Sequence, residues 1–224
     1  MKNNDMEQNK DNLYVATILF ADLAGCSEIS NNVKVSEYNK IIREFHEISY
    51  ELKGAILSDY SSEQIEFKAS GDEVCIILHS GKSFSNDNEP TEESERDVGN
   101  AIRFAVGIKL KWLLSEYNIE RIKNRLNPRN LGIGIHSGIV VYDENPLRTA
   151  KSSEGYAINL AKRIEGASRS GKEWQIFLSA PVKIVLENIS KGFTFMDKEC
   201  LNEFKGISTP PVIYELTDIP KERM

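Results

Sequence analysis

At 224 residues with 40% hydrophobic side chains, the chain has enough apolar surface for one sizeable core. Its formal net charge of −6 runs against a general nucleic-acid-binding surface, which needs clustered Lys and Arg to neutralise phosphates. No stretch approaches the roughly 18 apolar residues of a membrane helix, and three scattered cysteines without a CxxC spacing indicate neither a disulfide framework nor a zinc site, so a cytoplasmic protein is expected, with no membrane or nucleic-acid partner.

Residues 1–12 hold too few apolar groups to offset the entropy of ordering and read as a flexible tail, followed by one domain over 13–217 and a short C-terminal tail over 218–224. LYVATILF, from Leu13 to Phe20, is a β-rich apolar run of the kind buried on both faces of a sheet, and it leads into ADLAGCSEIS. Ser36 can open a helix in which Tyr38, Ile41, Ile42, Phe45, Ile48, Leu52 and Ile56 recur at helical spacing. IEFKASGDEVCIILH gives two short strands broken at Ser70, Gly71 and Asp72, where Gly-Asp is a hairpin turn signal. The polar, acidic stretch 80–97 contains Pro90 and reads mostly as an exposed loop. It precedes a helix with the stripe Val98, Ala101, Ile102, Ala105, Ile108 and Trp112. LGIGIHSGIVVYD reads as a strand, a turn at Ser137 and Gly138, and a second strand. EGYAINLAKRIEGASRSG reads as a helix closed by Gly171, with IFLS, FTFM and VIYEL as later strands. The order of elements implies an α+β domain with helices on one face of a mainly antiparallel sheet.

Asp22 and Asp72 each follow a strand at a turn, and two carboxylates brought together there can hold divalent cations that in turn hold a triphosphate. Taken singly, each reads more readily as a turn residue or cap. Gly25, Cys26 and Ser27 lie between strand and helix, where backbone N–H groups can receive phosphate oxygens, though such turns are common. Asn159 and Arg163, four apart on a helix, share a face away from Ile158, Ala161 and Ile164. An amide and a guanidinium pointing the same way suit a developing negative charge, and a solvated polar face is the plainer alternative. His46, His79 and His136 are read as structural.

Together these segments resemble class III adenylate and guanylate cyclases from about Tyr14 to Leu216. FADLAGCS is similar to the first metal motif, FKASGDEV to the second, GIGIHSG to the middle strand turn, and GYAINLAKRIE to the transition-state helix. The resemblance implies a ferredoxin-like α+β domain that closes a nucleoside triphosphate into a 3′,5′-cyclic monophosphate. It implies two divalent ions, Mn²⁺ or Mg²⁺, on Asp22, Asp72 and the Leu23 carbonyl, with Phe20, Gly25, Cys26 and Ser27 lining the substrate. Asn159 would orient the ribose, Arg163 would stabilise the α-phosphoryl charge, and Lys205 would meet the terminal phosphates. Because these three come from the opposite subunit, a head-to-tail homodimer with shared sites is implied.

In the family the base is read at the positions of Lys68 and Ser152. Lys68 offers only donors, which disfavours guanine, whereas adenine, uracil and cytosine each remain compatible with a Lys donor and a Ser hydroxyl. Gly132 stands where many relatives carry a phosphate-contacting arginine, and Arg129 or Lys205 are candidate substitutes. These departures, with the AINLAKRIE helix, are similar to the pyrimidine cyclases of the Pycsar antiphage systems. That likeness implies cyclic UMP, or else cyclic CMP, as a messenger read by a separate effector, with an adenylate cyclase as the alternative. A non-catalytic homologue would lack one of the key residues, and none is missing. A cyclic-dinucleotide enzyme would carry a GGDEF-type turn in place of SGDEV.

Overall fold

The computed structural model describes residues 13–81, 91–143, 152–198, 204 and 211–220. The first apolar run becomes β1 (Leu13–Leu23), buried on both faces over its second half. The chain then forms α1 (Cys26–Asn32), α2 (Val35–Ile56) and the hairpin β2 (Ile65–Ser70) and β3 (Glu73–Gly81). It continues through α3 (Glu92–Leu113), α4 (Glu116–Lys123), β4 (Leu131–Asp143), β5 (Ser152–Glu154) and α5 (Tyr156–Ser168). β6 (Ile176–Ser179), α6 (Ala180–Ile189), β7 (Thr194–Lys198) and β8 (Ile213–Asp218) complete it.

The strands make one eight-stranded sheet in the order β2-β3-β1-β4-β6-β8-β7, with β5 paired to β4. All pairings are antiparallel except β4 with β6, which α5 joins as a crossover. The fold is thus α+β with a mainly antiparallel sheet, as expected.

Helices cover both faces rather than one, because β1 carries apolar groups on both sides. Leu19, Ala21 and Leu23 join the main core with residues of α2, α3 and α6, whereas Ala16, Ile18 and Phe20 pack toward α5 through Ala157 and Ala161. α2 begins at Val35 behind Lys34, so Ser36 lies inside the first turn instead of capping it. The expected turn at Ser137 and Gly138 is continuous β4, paired with β1 from Leu13 opposite Val141 to Leu23 opposite Leu131. Gly138 serves close approach there: a Cβ would come within 3.0 Å of the Ala157 Cβ and 2.7 Å of His136 Nε2. The Gly71-Asp72 turn forms as read, with Ser70 opposite Glu73 and Gly71 at φ 60°.

Candidate active site

Register places the site on the α5 side of the sheet. One row across β2, β3, β1 and β4 is Ser70, Glu73, Asp22 and Gly132, and the next is Lys68, Cys75, Phe20 and Gly134. A third row is Glu66, Ile77, Ile18 and His136. Side chains on one strand face recur every second residue, so these three rows share a surface.

Asp22 is buried near the end of β1, and the Asp72 turn is tied to the same strand by the Leu23 N–H, which donates to the Asp72 carbonyl at 3.0 Å. From the far side His46 Nε2 lies 2.8 Å from the Gly71 carbonyl, which pins the turn to α2. The two carboxylates are therefore neighbours. Burial first, then the neighbouring Glu165 and Asp72, raise the Asp22 carboxyl to about 6 against the opposing pull of Lys162 and Arg169.

α5 sits almost directly on β4. A Cβ on Gly134 would lie 2.1 Å from the Glu165 backbone nitrogen, and one on Gly132 would lie 2.7 Å from Ser168 Oγ and 3.0 Å from Glu165 Oε1. Gly132 therefore leaves room beside Asp22 that α5 fills with its own charges. Arg169 pairs with Asp22, and Lys162 pairs with Glu73 and with Glu165, the latter at 2.7 Å. Lys162 Nζ also stands 5.6 Å from the centre of the Phe20 ring, so Phe20 lies beneath this charged flank.

At about 100° per residue, Lys162, Glu165 and Arg169 form one flank of the buried α5 stripe, whereas Asn159 and Arg163 form the opposite flank. Asn159 is exposed and Arg163 half-buried. Asn159 and Arg163 thus lie on the other side of the buried stripe from Glu165 and Arg169, the residues that meet Asp22.

Gly25 adopts φ 77° before α1, and its neighbour Ala24 donates to the Asn130 carbonyl at 3.0 Å. The Cys26 side chain turns inward, with Sγ 3.1 Å from the Tyr38 hydroxyl, so this segment offers its backbone and the exposed Ser27 to a ligand, not the thiol. Arg129 lies over Gly25: its Nη1 is 2.7 Å from where a Cβ would stand, and Nη2 is 2.7 Å from Glu28 Oε1. Asn118 clamps the Arg129 backbone from both sides, accepting from its N–H at 2.7 Å and donating to its carbonyl at 3.0 Å.

In the second row Lys68 is exposed beside Cys75, whose thiol is pushed up to about 12 chiefly by burial. β5 is drawn across to β2 because the Glu66 carboxylate accepts from the Ser153 N–H at 2.8 Å and from its hydroxyl at 2.5 Å. Ser152 heads that strand, its side chain outside the described residues, as is Lys205 entirely. His136 is buried with Nδ1 2.9 Å from Ser179 Oγ, and burial pushes its pKa down to about 4. His79 is buried near Glu66 and Tyr14. The three histidines thus support the scaffold.

A family model described as the adenylate and guanylate cyclase catalytic domain matches residues 8–214. The chain belongs to that family. It is a nucleotidyl cyclase. Solved structures with the same fold include the adenylyl cyclase CyaB from P. aeruginosa, at 18% identity and TM-score 0.70, covering 93% of this chain and 96% of that one. A bacterial light-regulated adenylyl cyclase matches at 20% identity and TM-score 0.66, covering 91% and 90%. The guanylate cyclase domain of RhGC from Catenaria anguillulae, described in complex with GTP, matches at 18% identity and TM-score 0.61, covering 91% and 95%. Among curated proteins, none matches the chain.

Cyclases of this family work with divalent metal ions, and the donor set here fits one. Glu165 Oε1 is buried without a hydrogen-bond partner, and together with Asp22 and Asp72 it gives the pocket more carboxylate than the two cations on α5 balance. Among the described residues no group of three His, Cys, Asp or Glu side chains is arranged to hold a metal alone. No helix among the described residues is long and apolar enough to cross a membrane. Lys162, Glu165 and Arg169 were not singled out in the sequence, although their i, i+3, i+7 spacing on the helix was visible there.

Proposed function

We propose that the cyclase acts on a pyrimidine nucleoside triphosphate, UTP ahead of CTP. Its 3′,5′-cyclic product would serve as an antiphage messenger read by a separate effector. The observation that carries the base preference is the row holding Lys68. This side chain can only donate, and Glu66, the carboxylate on the same face of β2, is already engaged by Ser153. Guanine, with donors at N1 and N2, meets another donor at Lys68, whereas uracil O4 or cytosine N3 accepts from a lysine. Ser152, on the strand tethered by Glu66, would answer the remaining group of the base. The defence role is supported by the likeness of the AINLAKRIE helix to Pycsar cyclases.

Asp22 and Asp72, with the Leu23 carbonyl, would hold two divalent ions, which supply charge neutralisation for the triphosphate and a more acidic ribose 3′-hydroxyl. Phe20 forms the floor beneath the nucleotide, and the Gly25 to Ser27 backbone receives phosphate oxygens. Asn159 and Arg163 of the partner subunit orient the ribose and meet the charge on the α-phosphoryl. Lys205 meets the terminal phosphates. The 3′-oxygen loses its proton and bonds to the α-phosphorus, and the bond from that phosphorus to the bridging oxygen of pyrophosphate breaks. A homodimer with shared sites is supported by the two flanks of α5, which set the Asn–Arg pair across the buried stripe from Glu165 and Arg169.

The test offers purified protein equal ATP, GTP, CTP and UTP with Mn²⁺ or Mg²⁺ and identifies products by mass spectrometry. Cyclic UMP or cyclic CMP as the main product is expected. Cyclic AMP would overturn the pyrimidine assignment and make Lys68 and Ser152 an adenine reader.

A further inference from the structure

Gly132 removes any side chain from β4 at the place beside Asp22, and α5 delivers a guanidinium to that place instead. We propose that Arg169 is a triphosphate-binding residue of its own chain's half-site. It holds the Asp22 carboxylate while no cation is there and turns to the phosphates when a cation takes the carboxylate. This rests on the assignment of Asp22 as a metal ligand.

The geometry is specific. Arg169 follows the last residue of α5 in helical conformation, and one terminal nitrogen, Nη2, meets Asp22 while lying 3.7 Å from Glu165 Oε1. Its side chain is 53% exposed, so guanidinium donors remain accessible to a ligand arriving from solvent. Glu165 is fully buried and cannot follow solvent, so it retains the guanidinium near the site after Asp22 lets go. A divalent ion on Asp22 repels the guanidinium, and the anionic triphosphate that arrives with the ion is its natural bidentate partner. Ser168 and Glu165 occupy the space above Gly132 and keep the last turn of α5 against the sheet. Arg169 thereby supplies from a helix end the charge that no residue at position 132 provides.

The experiment measures Mn²⁺ binding to nucleotide-free protein by electron paramagnetic resonance. It then measures competitive inhibition by inorganic tripolyphosphate at saturating Mn²⁺, for wild type, Arg169→Gln, Arg169→Lys and Asp22→Asn. In Arg169→Gln, Mn²⁺ binds about two- to fivefold tighter, because a half-exposed guanidinium no longer competes for the carboxylate. Tripolyphosphate binds the same variant about tenfold more weakly, the loss expected of a charge-assisted contact. Arg169→Lys, which keeps the charge but not the fork, should lie between. Unchanged Mn²⁺ and tripolyphosphate affinities in Arg169→Gln, or a parallel weakening of both, would overturn the proposal. Asp22→Asn separates the two levels. Its loss of Mn²⁺ binding confines any such failure to Arg169, whereas retained binding overturns the metal assignment and the proposal with it.

Discussion

Lys109 shows how a charged residue can be spent on architecture. It is buried on α3, and its amine donates to Asn130 Oδ1 at 2.8 Å and to the Leu131 carbonyl at 2.7 Å, fixing the start of β4 beside the Gly25 turn. Burial lowers its pKa from 10.5 to about 7, and a neutral amine has two N–H donors for those two acceptors. Between pH 7 and 9 the unfolded chain keeps this proton and the folded chain releases it, so stability rises with pH across that window. A gain of about 1–2 kcal/mol is expected from pH 7 to 9, read as denaturation midpoints, and it should vanish in Lys109→Met. Above pH 9 the rise levels off, because burial holds Cys75 protonated in the folded state to about 12 while the unfolded thiol ionises, and stability falls once the unfolded lysine also loses its proton near 10.5. At this scale the sequence was informative where turn chemistry speaks. Asp22 and Asp72 were legible as strand-end carboxylates, and the Gly-Asp turn formed. Lys162, Glu165 and Arg169 were not, because which flank of a helix faces a carboxylate depends on where the sheet lies beneath it.

The contact between α5 and β4 is the element-scale feature that organises the site. Because a Gly134 Cβ would stand 2.1 Å from the Glu165 nitrogen, Gly134→Ala must lift the helix. A loss of about 2–3 kcal/mol follows from overpacking, or roughly 4–12 °C in Tm for a domain of this size. Thermal unfolding of the purified variant measures it, and activity should fall more steeply than stability, since Arg163 and Arg169 ride on the same helix. Glycine was the ambiguous letter in this region. At Gly71 it marked a turn, through a positive φ, and at Gly134 and Gly138 it marked a helix resting on backbone. Local composition is the same in both cases, and only the identity of the neighbour, a helix distant in sequence, separates them.

For the whole molecule, the α+β class and most strands followed from periodicity, while the parallel β4–β6 pair and the second helical layer did not. Both depend on contacts across the sheet that no local pattern encodes. The two flanks of α5 lead to the largest prediction. Asp72→Ala and Arg163→Ala should each be nearly inactive, and mixing them should return about a quarter of wild-type activity, since random pairing gives half heterodimers with one sound site of two. Product formation after confirmed subunit exchange decides it, and no recovery would rule out shared sites. In such a dimer α5 is a beam with a pocket on either side. Its lower flank answers to the charge state of its own chain's Asp22, and its upper flank is a wall of the other pocket. The two pockets would then have one helix in common, and the occupancy of one is expected to bear on turnover in the other.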